Sequence, residues 1–321
     1  MTVPTGTTQT YQQIGIREDL SDIIYDISPM ETPFVTAMGK GTATATKPEW
    51  QIDSLDAATA NNAVVEGDNA VNDALDPTIR VGNYTQLMDK VVEVSSTADA
   101  VKTAGRGKEI SYQVSKRGRE LKRDIESSFC SLNASAAGSA SVARKSAGVG
   151  AWLASNTSHG ASTGAAGGWN NGTGIVDAPT AGTARALTET IFKGVIADVW
   201  AAGGNPSTVL VNSSQKQKIS TFAGIASLYR DTGQTMKQAS IMGAADLYIS
   251  DFGEHKVIAD RFCPTSTVYL LDMEYFGSKV LQPMRVEDLA KTGHASRKQL
   301  STELTLCSKN EDASGGIYDL T

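Results

Sequence analysis

The chain has 321 residues, with 29 Lys and Arg against 35 Asp and Glu, a formal net charge of −6 and three cysteines. That length accommodates one large or two modest domains, and an ordinary apolar content excludes wholesale disorder. A net acidic chain is no general polyanion binder, and an odd cysteine count without a close pair excludes a disulfide framework.

Residues 1–19 are polar and Thr/Gln-rich, with no apolar leader core, which predicts an extended arm and argues against secretion. Leu20, Ile23, Ile24 and Ile27 then share one helical face before Ser28-Pro29 ends the turn. Alternation from Thr42 through Trp50, Ile52 and Leu55 predicts a strand. A second is predicted over residues 80–95, carrying Val81, Tyr84, Leu87, Val91, Val92 and Val94. The Ala/Asn/Asp-rich stretch between them, residues 56–76, reads as the polar tip of a long protruding hairpin.

The clearest helix follows. Ile110, Val114, Gly118, Leu121, Ile125, Phe129 and Leu132 recur about every 3.7 residues, which predicts a rod over about residues 107–133, roughly 40 Å long. Its apolar stripe is narrow, suited to lying along a sheet or another subunit. Residues 134–183 are Gly/Ala/Ser/Thr-rich and read as a surface loop with a short ordered patch at Trp152-Leu153. Residues 146–176 are the longest span without Asp, Glu, Lys or Arg, and 24 of these 31 are Gly, Ala, Ser, Thr or Asn, too polar for a membrane helix. An α/β pattern begins after it. Leu187, Ile191, Val195, Val199 and Trp200 mark a helix closed by Gly203-Gly204. Residues 208–211 read as a buried strand, and Asn212 or Ser213 caps a helix reaching Phe222. Three short strands follow at 247–250, 256–260 and 267–272, and alternation through Leu300, Thr302, Leu304 and Leu306 predicts a long terminal strand.

Catalytic motifs fail on context. Gly160-Ala-Ser162-Thr-Gly164 fits the spacing of a nucleophile elbow, and His255 or His294 would complete a triad order. That elbow needs a buried strand before it and a helix after it, whereas polar loop residues flank this one. Gly105-Arg-Gly107-Lys108 lacks the leading glycine and trailing Ser/Thr of a phosphate loop. His159, His255 and His294 stand apart from any second His or Cys at ligand spacing, and Cys130, Cys263 and Cys307 read as small core residues. No catalytic, metal or cofactor residue is assigned.

Charge segregation is more informative. Residues 51–79 carry six acids (Asp53, Asp56, Glu66, Asp68, Asp73, Asp76) and no base. Residues 102–123 carry eight bases, among them Arg117, Arg119 and Arg123, against Glu109 and Glu120. These are two solvated faces, or they meet between subunits, or the basic helix touches phosphate.

An ordered set of segments resembles the major capsid proteins of tailed bacteriophages: DLSDIIYDISPMETPF from Asp19 to Phe34, the Trp50 strand, RVGNYTQ from Arg80, STADA from Ser96, GRELKRDIE from Gly118, VLVNSSQKQK from Val209 and LAKTG from Leu289. The resemblance spans nearly the whole chain, with residues 134–183 departing from it. It implies an α+β fold with an N-terminal arm (1–35), an extended hairpin loop (36–95), and a peripheral domain (96–183 and 284–321) holding a spine helix. An axial α/β domain (184–283) is inserted. It also implies a structural protein, with no enzymatic role, that assembles into hexamers and pentamers of an icosahedral or prolate shell around double-stranded DNA. The expected residence is the virion, after assembly in the host cytoplasm, with no membrane partner. The arm begins almost at Met1, so a separate scaffolding protein is expected. A portal, a decoration protein and weak, sequence-blind DNA contact complete the expected partners. Candidate inter-subunit contacts are Phe34, Trp50, Glu66, Asp68, Asp73, Asp76, Arg117, Arg119 and Arg123; for Phe34 and Trp50, packing inside the subunit is the competing role. The alternatives are a tail or baseplate component and, more remotely, a serine hydrolase built on Ser162.

Overall fold

A computed structural model describes residues 31–69, 77–103, 107–222 and 247–321. The predicted arm of residues 1–19 and the turn at Leu20, Ile23, Ile24 and Ile27 lie outside them.

The predicted rod is α3, Glu109–Phe129. It buries Ile110, Leu121, Ile125 and Phe129, the predicted stripe, and crosses the sheet beneath at Gly118, where an added Cβ would stand 3.6 Å from the Leu300 side chain. A short helix, α2 (Ser96–Ala100), supplies Asp99, whose carboxylate accepts the Ile110 N–H at 3.2 Å and closes the start of the rod. The rod ends at Phe129, four residues short of the sequence expectation. Ser131 explains this: its hydroxyl donates to the Ser128 carbonyl at 2.7 Å and accepts the Asn133 N–H at 3.2 Å, diverting the backbone.

Under the rod lies a four-stranded sheet: β1 (Gly39–Thr42), β12 (Phe276–Asp288), β13 (Ala295–Ser308) and β4 (Gln86–Ser95), in that spatial order. The first pair is parallel and the others antiparallel. The strand β12 escaped the sequence reading because its pattern is irregular: Pro283, which has no N–H to give the ladder, sits where the register shifts between Gln282 and Arg285.

The predicted long hairpin is broken on both sides. Its first strand divides into β1 and β2 (Glu49–Ile52), with Pro48 between them, and its second into β3 (Ile79–Gly82) and β4. Only β2 and β3 form the hairpin ribbon. Between β3 and β4, Asn83 turns inward: its amide donates to the Leu306 carbonyl at 2.8 Å and its oxygen accepts the Ala147 N–H at 2.9 Å. The sequence expectation of one continuous strand over residues 80–95 missed this polar anchor.

A second sheet has six strands in the order β5 (Asn156–Ser158), β14 (Gly315–Ile317), β11 (Val268–Leu271), β8 (Thr208–Val211), β10 (Gly253–Ala259) and β9 (Leu247–Ser250). Its central strands β11 and β8 are buried on both faces, which is why they read as unbroken apolar runs. Val209, Val211, Val268 and Leu270 pack with Phe192, Val195, Ile196 and Val199 of α5 (Glu189–Ala201). Leu210, Tyr269 and Leu271 face the core beneath α3. Helix α6 (Ser213–Ile219) follows β8, as expected, with Asn212 at its cap position. The expected boundaries at 184 and 283 do not coincide with this sheet, which recruits β5 and β14 from outside them.

The Gly-rich segment is the largest departure from the sequence expectation. Part of residues 134–183 is core material, extending well past the expected patch at Trp152-Leu153: Ala147, Val149, Ala151, Trp152, Leu153 and Val176 are buried. They contribute α4 (Val149–Trp152), β5 and a small ribbon of β6 (Gly168–Asn170) and β7 (Ile175–Asp177). Small side chains here permit close backbone approach. An added Cβ would stand 2.2 Å from the Ser131 carbonyl oxygen at Gly148 and 2.0 Å from that of Thr183 at Gly160. Low hydropathy therefore reflects tight packing. Among the described residues no helix is long and apolar enough to cross a membrane.

Candidate assembly surface

The β2–β3 ribbon roots the loop. At its base, Glu49 pairs with Lys47 at 3.2 Å and with Arg80 at 3.4 Å, and the Trp50 indole N–H donates to the Ser308 carbonyl at 2.8 Å. The Trp50 ring lies 5.6 Å from the Trp152 ring, with the Lys279 ammonium 4.7 Å from its centre. Beyond Ile52 the chain leaves the subunit. Residues 53–69 are all exposed and form no strand or helix. Leu55, Val64 and Val65 are 99, 86 and 74% exposed. Asp53, Asp56, Glu66 and Asp68 make no ion pair among the described residues. Asp73 and Asp76 lie outside those residues. The loop thus joins a fixed root to residues 53–69, which their own subunit leaves uncovered.

The basic face of α3 is also on the surface. Lys108, Lys116, Arg119 and Lys122 are exposed. Arg117 is partly covered and pairs with Glu120 one turn along, while the Arg123 guanidinium sits 5.7 Å over the Phe262 ring. Asp124 takes the Lys90 ammonium at 2.7 Å. Predicted bases therefore line an accessible helix, with Arg117 and Arg123 held in defined directions by neighbours.

Phe34 and Trp50 are placed differently from the charged candidates. Phe34 is wholly enclosed in the subunit, its ring 5.9 Å from that of Phe276, and Trp50 packs at the margin of the same core. Of the two roles named for them, the structure displays packing inside the subunit.

Two buried carboxylates at structural junctions were invisible in the sequence. Glu126, on α3, accepts the Phe34 N–H at 2.7 Å and the Val35 N–H at 2.8 Å, at the start of the short helix α1 (Pro33–Ala37). An anion there meets free helix N–H groups, so the carboxylate holds α1 to the rod. Burial pushes Glu126 up to about 7, against the pull of the Val35 and Phe34 N–H groups, and Asp260 pushes the same way as burial. Glu303 on β13 accepts from Arg144 at 2.6 Å, from the Thr85 hydroxyl at 2.6 Å and from the Gln282 amide at 3.3 Å. It ties the Gly-rich segment to β12 and to Thr85, the residue just before β4. The only sequence signal for Glu126 is a charge at the edge of an apolar stripe, which ordinarily marks the solvent boundary.

The hydrolase alternative fails on geometry. Ser162 sits in an exposed turn at φ +82°, cut off from the short strand β5 by residues 159–161 and followed by no helix before α5. His255 is buried in the six-stranded sheet, its ring nitrogens bound to Ser250 Oγ at 2.7 Å and the Pro206 carbonyl at 2.6 Å. His294 lies exposed beyond the tip of β12. Gly105 and Arg106 of the rejected phosphate-loop motif lie outside the described residues.

An α+β subunit is the fold class expected from the resemblance, and comparison with known proteins agrees on that fold. The chain is 31% identical to the major capsid protein of Escherichia phage Phieco32 over 342 aligned positions, covering 96% of each chain. Among solved structures, the capsid of the native GTA particle matches with a TM-score of 0.63 at 11% identity, over 97% of this chain and 98% of that one. The capsid of Cyanophage A-1(L) matches with a TM-score of 0.63 at 14% identity, over 98% of both. At such identities the structures establish the shared fold. The family model described as SU10 major capsid protein matches residues 3–321, and the chain belongs to the SU10 family of phage major capsid proteins.

Proposed function

We propose that this capsid-shell subunit assembles into hexamers and pentamers that tile an icosahedral or prolate shell around double-stranded DNA, the acidic loop of one subunit lying over the basic face of α3 in its neighbour. The exposed loop carries this reading: it presents four described carboxylates and three large apolar side chains, and its own subunit covers none of them. Complementary potentials set register and speed encounter, while covering Leu55, Val64 and Val65 adds apolar burial. A contact between two different patches of one chain is heterologous, and such contacts close into rings. Assembly takes place in the host cytoplasm with a separate scaffolding protein and a portal, and the finished shell accepts a decoration protein. Contact with packaged DNA is weak, sequence-blind and salt-sensitive in a chain of this net charge.

The test is charge reversal. Arg117→Glu, Arg119→Glu and Arg123→Glu together should block shell formation while leaving the subunit folded by circular dichroism. Adding Glu66→Lys, Asp68→Lys, Asp73→Lys and Asp76→Lys should partly restore it. Normal shells from the reversed variant would sink the pairing.

A further inference from the structure

The fold brings two cysteines that are remote in sequence into one buried cluster. Cys130 caps the C-terminus of α3, Asp260 follows the last residue of β10, and Cys263 lies in the turn before β11. They are 0, 2 and 3% exposed. The sulfurs of Cys130 and Cys263 stand 3.3 and 3.4 Å from Oδ2 of Asp260, and the three donor atoms lie within 4.8 Å of one another.

We propose that Cys130, Asp260 and Cys263 form an internal site for a borderline-soft divalent cation of the zinc class, joining the end of the α3 rod to the edge of the six-stranded sheet. The spacing fits the ion. Tetrahedral zinc, with bonds of about 2.3 Å to sulfur and about 2.1 Å to oxygen, separates those two ligands by roughly 3.6 Å. The observed sulfur–oxygen distances of 3.3 and 3.4 Å need only a slight opening to admit it. Three protein ligands leave the fourth position of a tetrahedral ion to a small exogenous ligand.

Outer partners already fix each ligand. Asp260 Oδ1 accepts the Phe262 N–H at 2.9 Å, and the Asp260 N–H donates to the Val211 carbonyl at 2.8 Å. The Cys263 carbonyl accepts the Asn212 amide at 2.9 Å, and the Cys130 carbonyl accepts the Tyr269 hydroxyl at 2.9 Å. The two sulfurs and Oδ2 are left facing one another, which is how outer-shell bonds orient ligands in metal sites. The Asp260 carboxylate is 2% exposed and has no cation paired to it among the described residues, and a buried carboxylate is costly to ionise unless paired or bound to metal.

The competing account is two neutral thiols donating to Asp260. Cobalt(II) separates the two, because only thiolate ligation gives an intense near-ultraviolet charge-transfer band. Full-length chain, purified anaerobically and stripped with chelator, is titrated with cobalt(II) chloride. The expected result is that band together with tetrahedral visible bands, saturating at one ion per chain and displaced by zinc. Cys130→Ser and Cys263→Ser should each reduce the charge-transfer intensity, and Asp260→Asn should weaken binding by about tenfold or more. Cys307→Ser removes the one thiol outside the cluster and should leave the spectrum intact, so the wild-type and Cys307→Ser chains decide the question even if a ligand variant misfolds. No thiolate band in the wild type, its loss in Cys307→Ser, or a Cys130–Cys263 disulfide in non-reducing peptide maps would overturn the assignment.

Discussion

Replacing Glu126 by Gln isolates the carboxylate that joins the rod to α1. Burial raises its pKa from an ordinary 4.5 to about 7, outweighing two hydrogen bonds from Val35 and Phe34 that favour the ionised form. The folded carboxyl therefore keeps its proton to higher pH than the unfolded chain does, and folding takes up a proton between about pH 4.5 and 7. Its contribution to stability is fully present below pH 4.5 and is lost as pH rises through about 7. The interval corresponds to about 3 kcal/mol. Glutamine has no proton to lose, so this slope vanishes in the variant. Urea unfolding followed by tryptophan fluorescence, in chelator at a series of pH values, reads the difference directly. Relative to wild type, Glu126→Gln should gain about 3 kcal/mol across that window. Two stability curves that stay parallel from acid to neutral pH would refute the reasoning, because they would mean Glu126 titrates alike in the folded and unfolded chain.

Other substitutions probe the remaining features. Gly148→Ala places a methyl group 2.2 Å from the Ser131 carbonyl oxygen, backbone that cannot swing aside, so soluble expression and melting temperature should both fall sharply. Glu303→Ala leaves the buried Thr85 hydroxyl, and an Arg144 that is one-third exposed, without their carboxylate partner and should cost about 1–3 kcal/mol in chemical unfolding. Ser162→Gly relieves a left-handed backbone at φ +82° while loosening the unfolded chain, so stability should stay within about 0.5 kcal/mol, with shells unchanged by electron microscopy.

Elements whose side chains follow one period were legible in the sequence. The α3 stripe, the α5 helix and the strands β8, β9 and β11 repeat or cluster their apolar residues in a way that needs no tertiary knowledge. The unread elements are those shaped by single contacts across the fold. Asn83 interrupts an otherwise plausible strand because its amide is needed 223 residues away in sequence, at Leu306. Pro283 breaks the period of β12 without ending the strand. The Gly-rich segment looks like solvent-exposed linker by composition, yet its small residues are what allow Gly148 and Gly160 to lie against backbone. The charged halves of the proposed assembly surface were visible as blocks of like sign. The junctional carboxylates Glu126 and Glu303 were not, since a lone buried acid has no signature until its donors are in place. The cysteine cluster is of the same kind: it exists only after α3 and β10 are brought together.

Electron microscopy of assembled shells, at a resolution that traces residues 53–76, tests the central claim most directly. The account predicts rings of six and five subunits, with Glu66 and Asp68 of one subunit against Arg117, Arg119 and Arg123 of the next. A loop folded back over its own subunit, with the basic face of α3 left open to solvent or to DNA, would contradict it.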